Sequence, residues 1–281
     1  MELSVDTSIE TPIETPKKKI IKVKKPKILL EDIPEDENGF STRKFKIFSS
    51  IMSLIADTTD EVNFNISEEG LTIQCMDTGH VSYLLCDIPK EFFDNFNCKE
   101  PRSIGINMKS LTKIFNMAKI NVGLTIVFKQ DFIDFYIKSP TIDKQYSMRQ
   151  MILDQEDLTI PDMEWDYVIN LPSNDFYTAT HEMQDMGESC ELKIKNKVLQ
   201  FKSEGIVGLV KIKITPPELI DNTNDKFFKV GFSSKYLFHY AKARYLSDNI
   251  KLEIKKQCPI KMTYDIGDGG MVYNFVAPKI E

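Results

Sequence analysis

The sequence predicts an α+β protein of two similar domains, each with two helices packed on β-sheet. Three observations support that class. Apolar residues alternate with a period of two in some stretches and recur every three to four residues in others, as half-buried strands and amphipathic helices require. This succession of patterns occurs twice, with about 60 residues between the two helices of each half, from Ile51 to Leu111 and from Tyr177 to Leu237. The chain, 281 residues and 42% hydrophobic, is long enough for two cores.

Residues 1–38 have a composition of their own. They run from Thr and Pro, through lysines at 17, 18, 19, 22, 24, 25 and 27, to the acidic turn "EDIPEDENG". So much proline and charge with so few aromatics predicts a disordered extension. Its lysines read as a solvated tail, a nuclear-import signal or an arm that touches DNA. The first domain is expected over residues 39–148. There "RKFKIFSSIMSLIADTT" puts Phe45, Phe48, Met52 and Ile55 at helical spacing, and "DEVNFNISEEGLTIQCMDTGHVSYLLCDIP" alternates as strands with a turn over residues 67–70. Next, "GINMKSLTKIFNMAK" places Leu111, Ile114, Phe115 and Ala118 on one helical face, and "VGLTIVFKQDFIDFYI" reads as a hairpin.

A linker is expected over residues 149–166. It mixes Asp154, Glu156, Asp157, Asp162 and Glu164 with Leu153, Leu158, Ile160, Met163 and Trp165, more apolar groups than a plain flexible connector carries. Those groups either pack on the domains or receive a partner. The second domain, residues 167–281, repeats the order of the first. Helix "SNDFYTATHEMQDMG", with Phe176, Ala179, Met183 and Met186, precedes strands "CELKIKNKVLQFKSEGIVGLVKIKITPP". Helix "SSKYLFHYAKARYL" precedes strands "NIKLEIKKQCPIKMTYDI".

The formal net charge of −6 argues against holding nucleic acid by bulk electrostatics, so any DNA contact must come from a local patch. No run approaches the roughly 20 apolar residues that span a bilayer, and the N-terminus lacks a secretory pattern, so an intracellular protein without membrane contact is expected. Five cysteines without a C-x-x-C pair indicate neither a disulfide framework nor a zinc site. The stretch "CMDTGHVSYLLC", residues 75–86, gathers two cysteines, an aspartate and a histidine, but shows neither an orienting third group for a nucleophile nor converging metal ligands. Cys75 alternates with Leu71 and Ile73 and is expected to be inert strand filling. "IGDGG" follows a strand without opening a helix and reads as a hairpin turn, not a phosphate loop. No catalytic residue, metal or cofactor is expected.

In order and spacing, "CMDTGHVS" after a strand, "LDQEDLTIPDMEW" between the halves and the terminal "VYNFVAPKIE" resemble the eukaryotic-type DNA sliding clamps, the proliferating cell nuclear antigen family, over about residues 40–281. The resemblance implies a DNA clamp fold assembled as a homotrimeric ring. Helices would line a hole around double-stranded DNA, held without sequence specificity. Such a ring is not an enzyme. It tethers the replicative DNA polymerase, the clamp loader and other replication and repair proteins through a short clamp-binding motif, in the nucleus or, for a large DNA virus, at a cytoplasmic replication site. Two neighbouring readings share the duplication: a subunit of a heterotrimeric checkpoint ring and a monomeric processivity factor.

The resemblance also implies sites. DNA-facing candidates are Lys109, Lys113 and Lys119 on the second helix and Lys235, Lys242 and Arg244 on the fourth. The first and third helices depart from the pattern with Ser49, Ser50, Ser53 and Ala56 and with Thr178, His181, Glu182 and Asp185, and Lys44 and Lys46 are the expected compensation. The ring edges are "TIDKQYSMRQ", with Tyr146 and Met148, and "EGIVGLVKIK", with Ile206 and Leu209. The partner pocket comprises Met76, His80, Val81 and Tyr83; Leu158, Ile160, Pro161 and Trp165; Pro259; and Phe275, Ala277, Pro278 and Ile280. Trp165 and Phe275 stand where tyrosines are usual.

Overall fold

A computed structural model describes residues 28–118, 122–154, 158, 163–223 and 227–279. The first half contains β1 (Asn38–Thr42), α1 (Phe45–Ala56), β2 (Glu61–Ser67), β3 (Gly70–Met76), β4 (Ser82–Pro89), β5 (Asn95–Asn97), β6 (Arg102–Asn107), α2 (Met108–Asn116), β7 (Gly123–Phe128), β8 (Phe132–Lys138) and β9 (Asp143–Arg149). The second half follows the same order: β10 (Tyr167–Pro172), α3 (Ser173–Met186), β11 (Ser189–Lys195), β12 (Val198–Gly205), β13 (Gly208–Ile214), β14 (Glu218–Asp221), β15 (Phe228–Ser233), α4 (Ser234–Ala241), β16 (Asn249–Ile254), β17 (Ile260–Gly267) and β18 (Gly270–Val276). A short 3₁₀ turn follows β4, and another, Lys242–Tyr245, follows α4.

Pairing repeats as faithfully as order. In the first half β5-β1-β7-β8-β9 form one sheet and β4-β3-β2-β6 lie in another; in the second half β14-β10-β16-β17-β18 and β13-β12-β11-β15 mirror them. The halves join where β4 pairs with β18, from Met271 opposite Asp87 to Val276 opposite Ser82, producing a continuous nine-stranded sheet. All these pairings are antiparallel, so one face can be buried and the other left to water or partners.

The helices pack on one another and cover the buried face in one layer. On α1, Phe45, Phe48, Ile51, Met52, Leu54 and Ile55 point inward, a wider stripe than the four positions the spacing singled out. Phe45 meets Phe115 of α2 edge-on at 5.4 Å, and Phe40 of β1 lies 5.3 Å from Phe48. Each such fully buried ring contributes roughly 1.5–3 kcal/mol relative to exposure. Asn107 caps α2 by accepting from the Ser110 amide at 2.9 Å.

Among the described residues, two of the six sheet edges are crossed by neighbouring chain. Met151, two residues past β9, exchanges backbone hydrogen bonds with Gly105 on β6; in the second half Lys279 donates its amide to Gly231 on β15. A Cβ on Gly105 would lie 2.4 Å from the Met151 carbonyl oxygen, so only glycine admits this crossing. β5 and β14 are short, at three and four residues. Two seven-residue strands, β9 and β13, keep an unpaired edge among the described residues.

Two expectations change. The extension expected to be disordered to residue 38 is packed from Ile28 on: Glu31 donates its amide to Thr125 Oγ1 at 3.1 Å and pairs with Lys138 at 2.5 Å, and the Asn97 side chain donates to the carbonyl of Glu37 at 2.7 Å. These contacts satisfy a backbone that composition alone left without partners. In addition, α4 ends at Ala241, so Lys242 and Arg244 lie on the following 3₁₀ turn rather than on the fourth helix.

Candidate functional site: the helical face, the strand edges and the linker crossing

On the helical layer Lys109, Lys113 and Lys235 are exposed, as is Lys242, whose Nζ lies 5.4 Å from the Phe238 ring. Lys119 lies outside the described residues. Lys109 pairs with Asp60 at 2.6 Å while both side chains stay mostly in water, a contact that stabilises little. Arg244 is not a free cation. Its guanidinium sits 3.5 Å over the Tyr177 ring, and its Nη2 donates to the Tyr245 hydroxyl at 2.7 Å.

The first and third helices are as poor in base as their sequences suggest. Ser49, Ser50 and Ser53 return their hydroxyls to carbonyls of α1 itself, and His181 faces Asp185 at 3.4 Å. Lys46 is exposed as expected, but Lys44 is not available as compensation. It forms an ion pair with Asp268 and donates to the Phe92 carbonyl at 3.0 Å, tying the start of α1 to the β17–β18 turn.

At the strand edges, Tyr146 and Met148 of β9 face the helical side, opposite the core residues Phe135 and Ile133 of β8. On β13 the equivalent inward set is Val210, Ile212 and Ile214, half-buried against the core and absent from the sequence expectation; the alternation V-K-I-K-I was the signal for them. Leu209 points to the other face. Ile206 lies in the turn before β13, fully exposed beside Val207.

The described residues of the linker meet the outer face of the nine-stranded sheet at several points. Met151 sits at the edge of β6, the Leu153 carbonyl accepts from Asn63 Nδ2 on β2 at 3.2 Å, and the Leu158 carbonyl accepts from the Tyr83 hydroxyl on β4 at 3.4 Å. Trp165 lies at the far end, with Lys261 Nζ of β17 at 5.9 Å from its ring. Beneath this path Met76, Tyr83, Phe275 and Lys261 stand side by side on β3, β4, β18 and β17. Tyr83 and Phe275 are 5.9 Å apart and each only 8% exposed, although their strand positions point away from the helices. Leu158 is 43% exposed. Val81 accepts the Ala277 amide at 2.9 Å, and half-buried Pro259 precedes Ile260, the partner of Val276, with Pro278 half-buried beyond it. Met76, Tyr83 and Phe275 are thus neighbours across three strands, with Val81, Ala277 and the Leu158 carbonyl bonded beside them; Ile160, Pro161 and Ile280 fall outside the described residues.

The stretch that resembled a catalytic cluster is a joint. Asp77 Oδ1 accepts from the amides of Val81 and Ser82 at 2.9 and 2.6 Å and from the Ser82 hydroxyl at 3.0 Å; its Oδ2 accepts from the Gly79 amide at 3.0 Å and from the Tyr236 hydroxyl at 2.6 Å. Burial pushes this carboxyl upward, but hydrogen bonds from Tyr236, Ser82 and Gly79 outweigh it and hold the carboxyl below the usual range. The same Asp77 bond raises the Tyr236 phenol to about 12. His80 closes the turn in the left-handed region at φ 53°, with its side chain exposed. Burial lifts the Cys75 thiol to about 12 and also raises that of Cys86, which disfavours the thiolate a nucleophile needs. Among the described residues no group of three His, Cys, Asp or Glu side chains is placed to hold a metal, and no helix is long and apolar enough to cross a membrane.

Comparison with known proteins agrees with this architecture. The family model described as proliferating cell nuclear antigen, N-terminal domain, matches residues 41–158, and that of the C-terminal domain matches residues 159–279. The proliferating cell nuclear antigen of Chaetomium thermophilum is 26% identical over 245 residues, covering 83% of this chain and 95% of that protein. With both domain models matched in tandem on a duplicated α+β clamp fold, the chain belongs to the proliferating cell nuclear antigen family.

Proposed function

We propose that the chain is a sliding clamp, a homotrimeric ring that encircles double-stranded DNA without sequence preference and tethers the replicative polymerase, the clamp loader and other motif-bearing partners, acting as a scaffold rather than an enzyme. The observation that carries this reading is the junction between the halves. β18 ends one five-stranded set and pairs with β4, the end of a four-stranded set; their counterparts β9 and β13 hold the same places in their sheets, and each leaves its outer edge unpaired in the described chain. A second copy supplies the missing partner, head to tail. Transferring the internal register, in which Leu84 faces Asn274 and Tyr83 faces Phe275, sets Val210 of one copy opposite Tyr146 of the next and Leu209 opposite Ser147. The same transfer sets Lys213 opposite Asp143, an opposite-charge pair. Closure at three copies is part of the proposal, and family membership supports it.

In this reading the helical layer faces the duplex, with Lys109, Lys113, Lys119, Lys235, Lys242 and the ring-held Arg244 toward phosphates. Partners dock on the outer face where the linker crosses Met76, Tyr83 and Phe275, an aromatic floor suited to apolar anchors of a short motif. Replication in the nucleus is the setting this implies. The test is topological. The purified chain is threaded onto a linear duplex fixed at one end to a bead, and the free end is then blocked or left open before a high-salt wash. Retention only on the blocked duplex supports a ring; equal loss or equal retention on both contradicts it.

A further inference from the structure

Of the eleven residues from Lys235 to Tyr245, KYLFHYAKARY, four are phenylalanine or tyrosine and three are lysine or arginine, and the fold encloses only some of the rings. Tyr240 is buried and Tyr236 is tied to Asp77, whereas Phe238 is half-buried and Tyr245 is 68% exposed. The neighbouring α3 brings two more rings. It buries Phe176, Ala179, Thr180 and Met183, so Tyr177 and His181, four residues apart, share the stripe beside them and meet α4. Tyr177 lies 5.4 Å and His181 4.9 Å from Phe238, and the first two stack at 5.9 Å. The cations sit over these rings. Arg244 places its guanidinium 3.5 Å from the Tyr177 ring and 4.8 Å from that of Tyr245, and Lys242 Nζ lies over Phe238. Beside Tyr245 a groove of about 200 Å³ opens toward α1, walled by Ser50, Ser53 and Leu54.

Rings interleaved with cations fit one class of ligand. Packing of α3 on α4 accounts for Tyr177 and Phe238 but not for Tyr245, whose ring stays mostly in water. Duplex DNA hides the faces of its bases, and cations alone suffice for its phosphates. An unpaired strand offers both a phosphate for each nucleotide and a flat base face, which stacks on an aromatic ring whatever the sequence. The helical layer gains from that second contribution. Asp185, 3.4 Å from His181, and Asp57, on the wall of the groove, oppose phosphate, whereas stacking is indifferent to their charge.

We propose that Tyr177, His181, Phe238 and Tyr245, with Lys242 and Arg244, form a stacking site for single-stranded DNA on the helical face of the second half. The site rests on the clamp reading, which brings DNA to this layer, and adds to it a grip on unpaired bases. The test titrates the full chain and its Tyr245→Ala and Tyr245→Phe variants with a labelled thymidine oligonucleotide and, separately, with a blunt duplex of equal length. Fluorescence anisotropy reads binding, and light scattering reads mass on the same samples. Removing this exposed ring should weaken single-strand binding at least about 5-fold and leave duplex binding within about 2-fold, while phenylalanine, which keeps the ring, should bind the single strand as the full chain does. Absence of single-strand binding by the full chain, or equal affinity of the full chain and Tyr245→Ala, overturns the site. So does an equal loss on both DNAs, which would mean that the ring only props Arg244, and so does a loss in Tyr245→Phe as large as in Tyr245→Ala. A loss confined to a clamp-motif peptide would give the surface to a protein partner and also overturns it. A trimer whose single-strand binding ignores Tyr245 refutes the site alone, whereas a monomer whose single-strand binding depends on Tyr245 refutes the clamp reading and leaves the site standing.

Discussion

At the scale of single residues, the two halves are joined by polar side chains as well as by the shared sheet. Asp77 collects five hydrogen bonds, including one from Tyr236 on α4, while Tyr240 donates to Ser82 and His239 meets Thr58 at 3.2 Å. They line a cleft of about 290 Å³ between α1 and α4. Burial holds the His239 imidazole below its ordinary value, with Lys242 and Lys235 adding to the effect and Asp57 and Asp77 opposing it. A depressed folded value means that His239 favours the fold fully above the unfolded value of about 6.5, and that this contribution is lost as pH falls through the folded value. The melting temperature should therefore drop on acidification below about pH 6.5, and His239→Gln should flatten that segment of the profile; an unchanged profile would remove His239 from the account. The partner surface has its own test. His80→Glu, on an exposed side chain, should weaken binding of a clamp-motif peptide at unchanged melting temperature, and Ile160→Asp should abolish it; peptide affinity that survives both changes would refute the pocket.

Elements carry the assembly. β9 and β13 should pair in the register inherited from β18 and β4, so Ser147→Cys in one copy and Leu209→Cys in the next should form a disulfide across the seam, while Ser147→Cys with Lys213→Cys should not. Non-reducing electrophoresis of the double variants reads this directly, and equal cross-linking of both would mean that the register does not transfer. The helices, hairpins and duplication were legible in sequence because burial imposes periods of 3.6 and 2 on apolar residues. The inward edge set Val210, Ile212 and Ile214 was harder to read than Leu209, since alternation shows that two faces differ but not which one meets the core. The ties of Lys44 to Asp268 and of Asp77 to Tyr236 span 224 and 159 residues, and no local pattern encodes such pairs. The packing of Ile28 to Glu37 was hidden for a related reason: its partners Thr125 and Lys138 come from strands about a hundred residues away.

For the whole molecule, the proposed clamp role gives an acidic chain of net charge −6 the task of staying on DNA, which requires a device other than bulk attraction. A closed ring is such a device, because topology retains it on the duplex even when each helix contributes few cations. The residues proposed for the pocket, from Met76 to Pro278, come from four separate segments of the sequence, and strand pairing sets Met76, Tyr83 and Phe275 among them side by side. The account stands on self-association through β9 and β13, both of which leave an edge open in the described chain. Light scattering of the purified full chain measures that most directly: the account predicts a mass near three times 32.4 kDa, and a mass of 32.4 kDa at every concentration would contradict it.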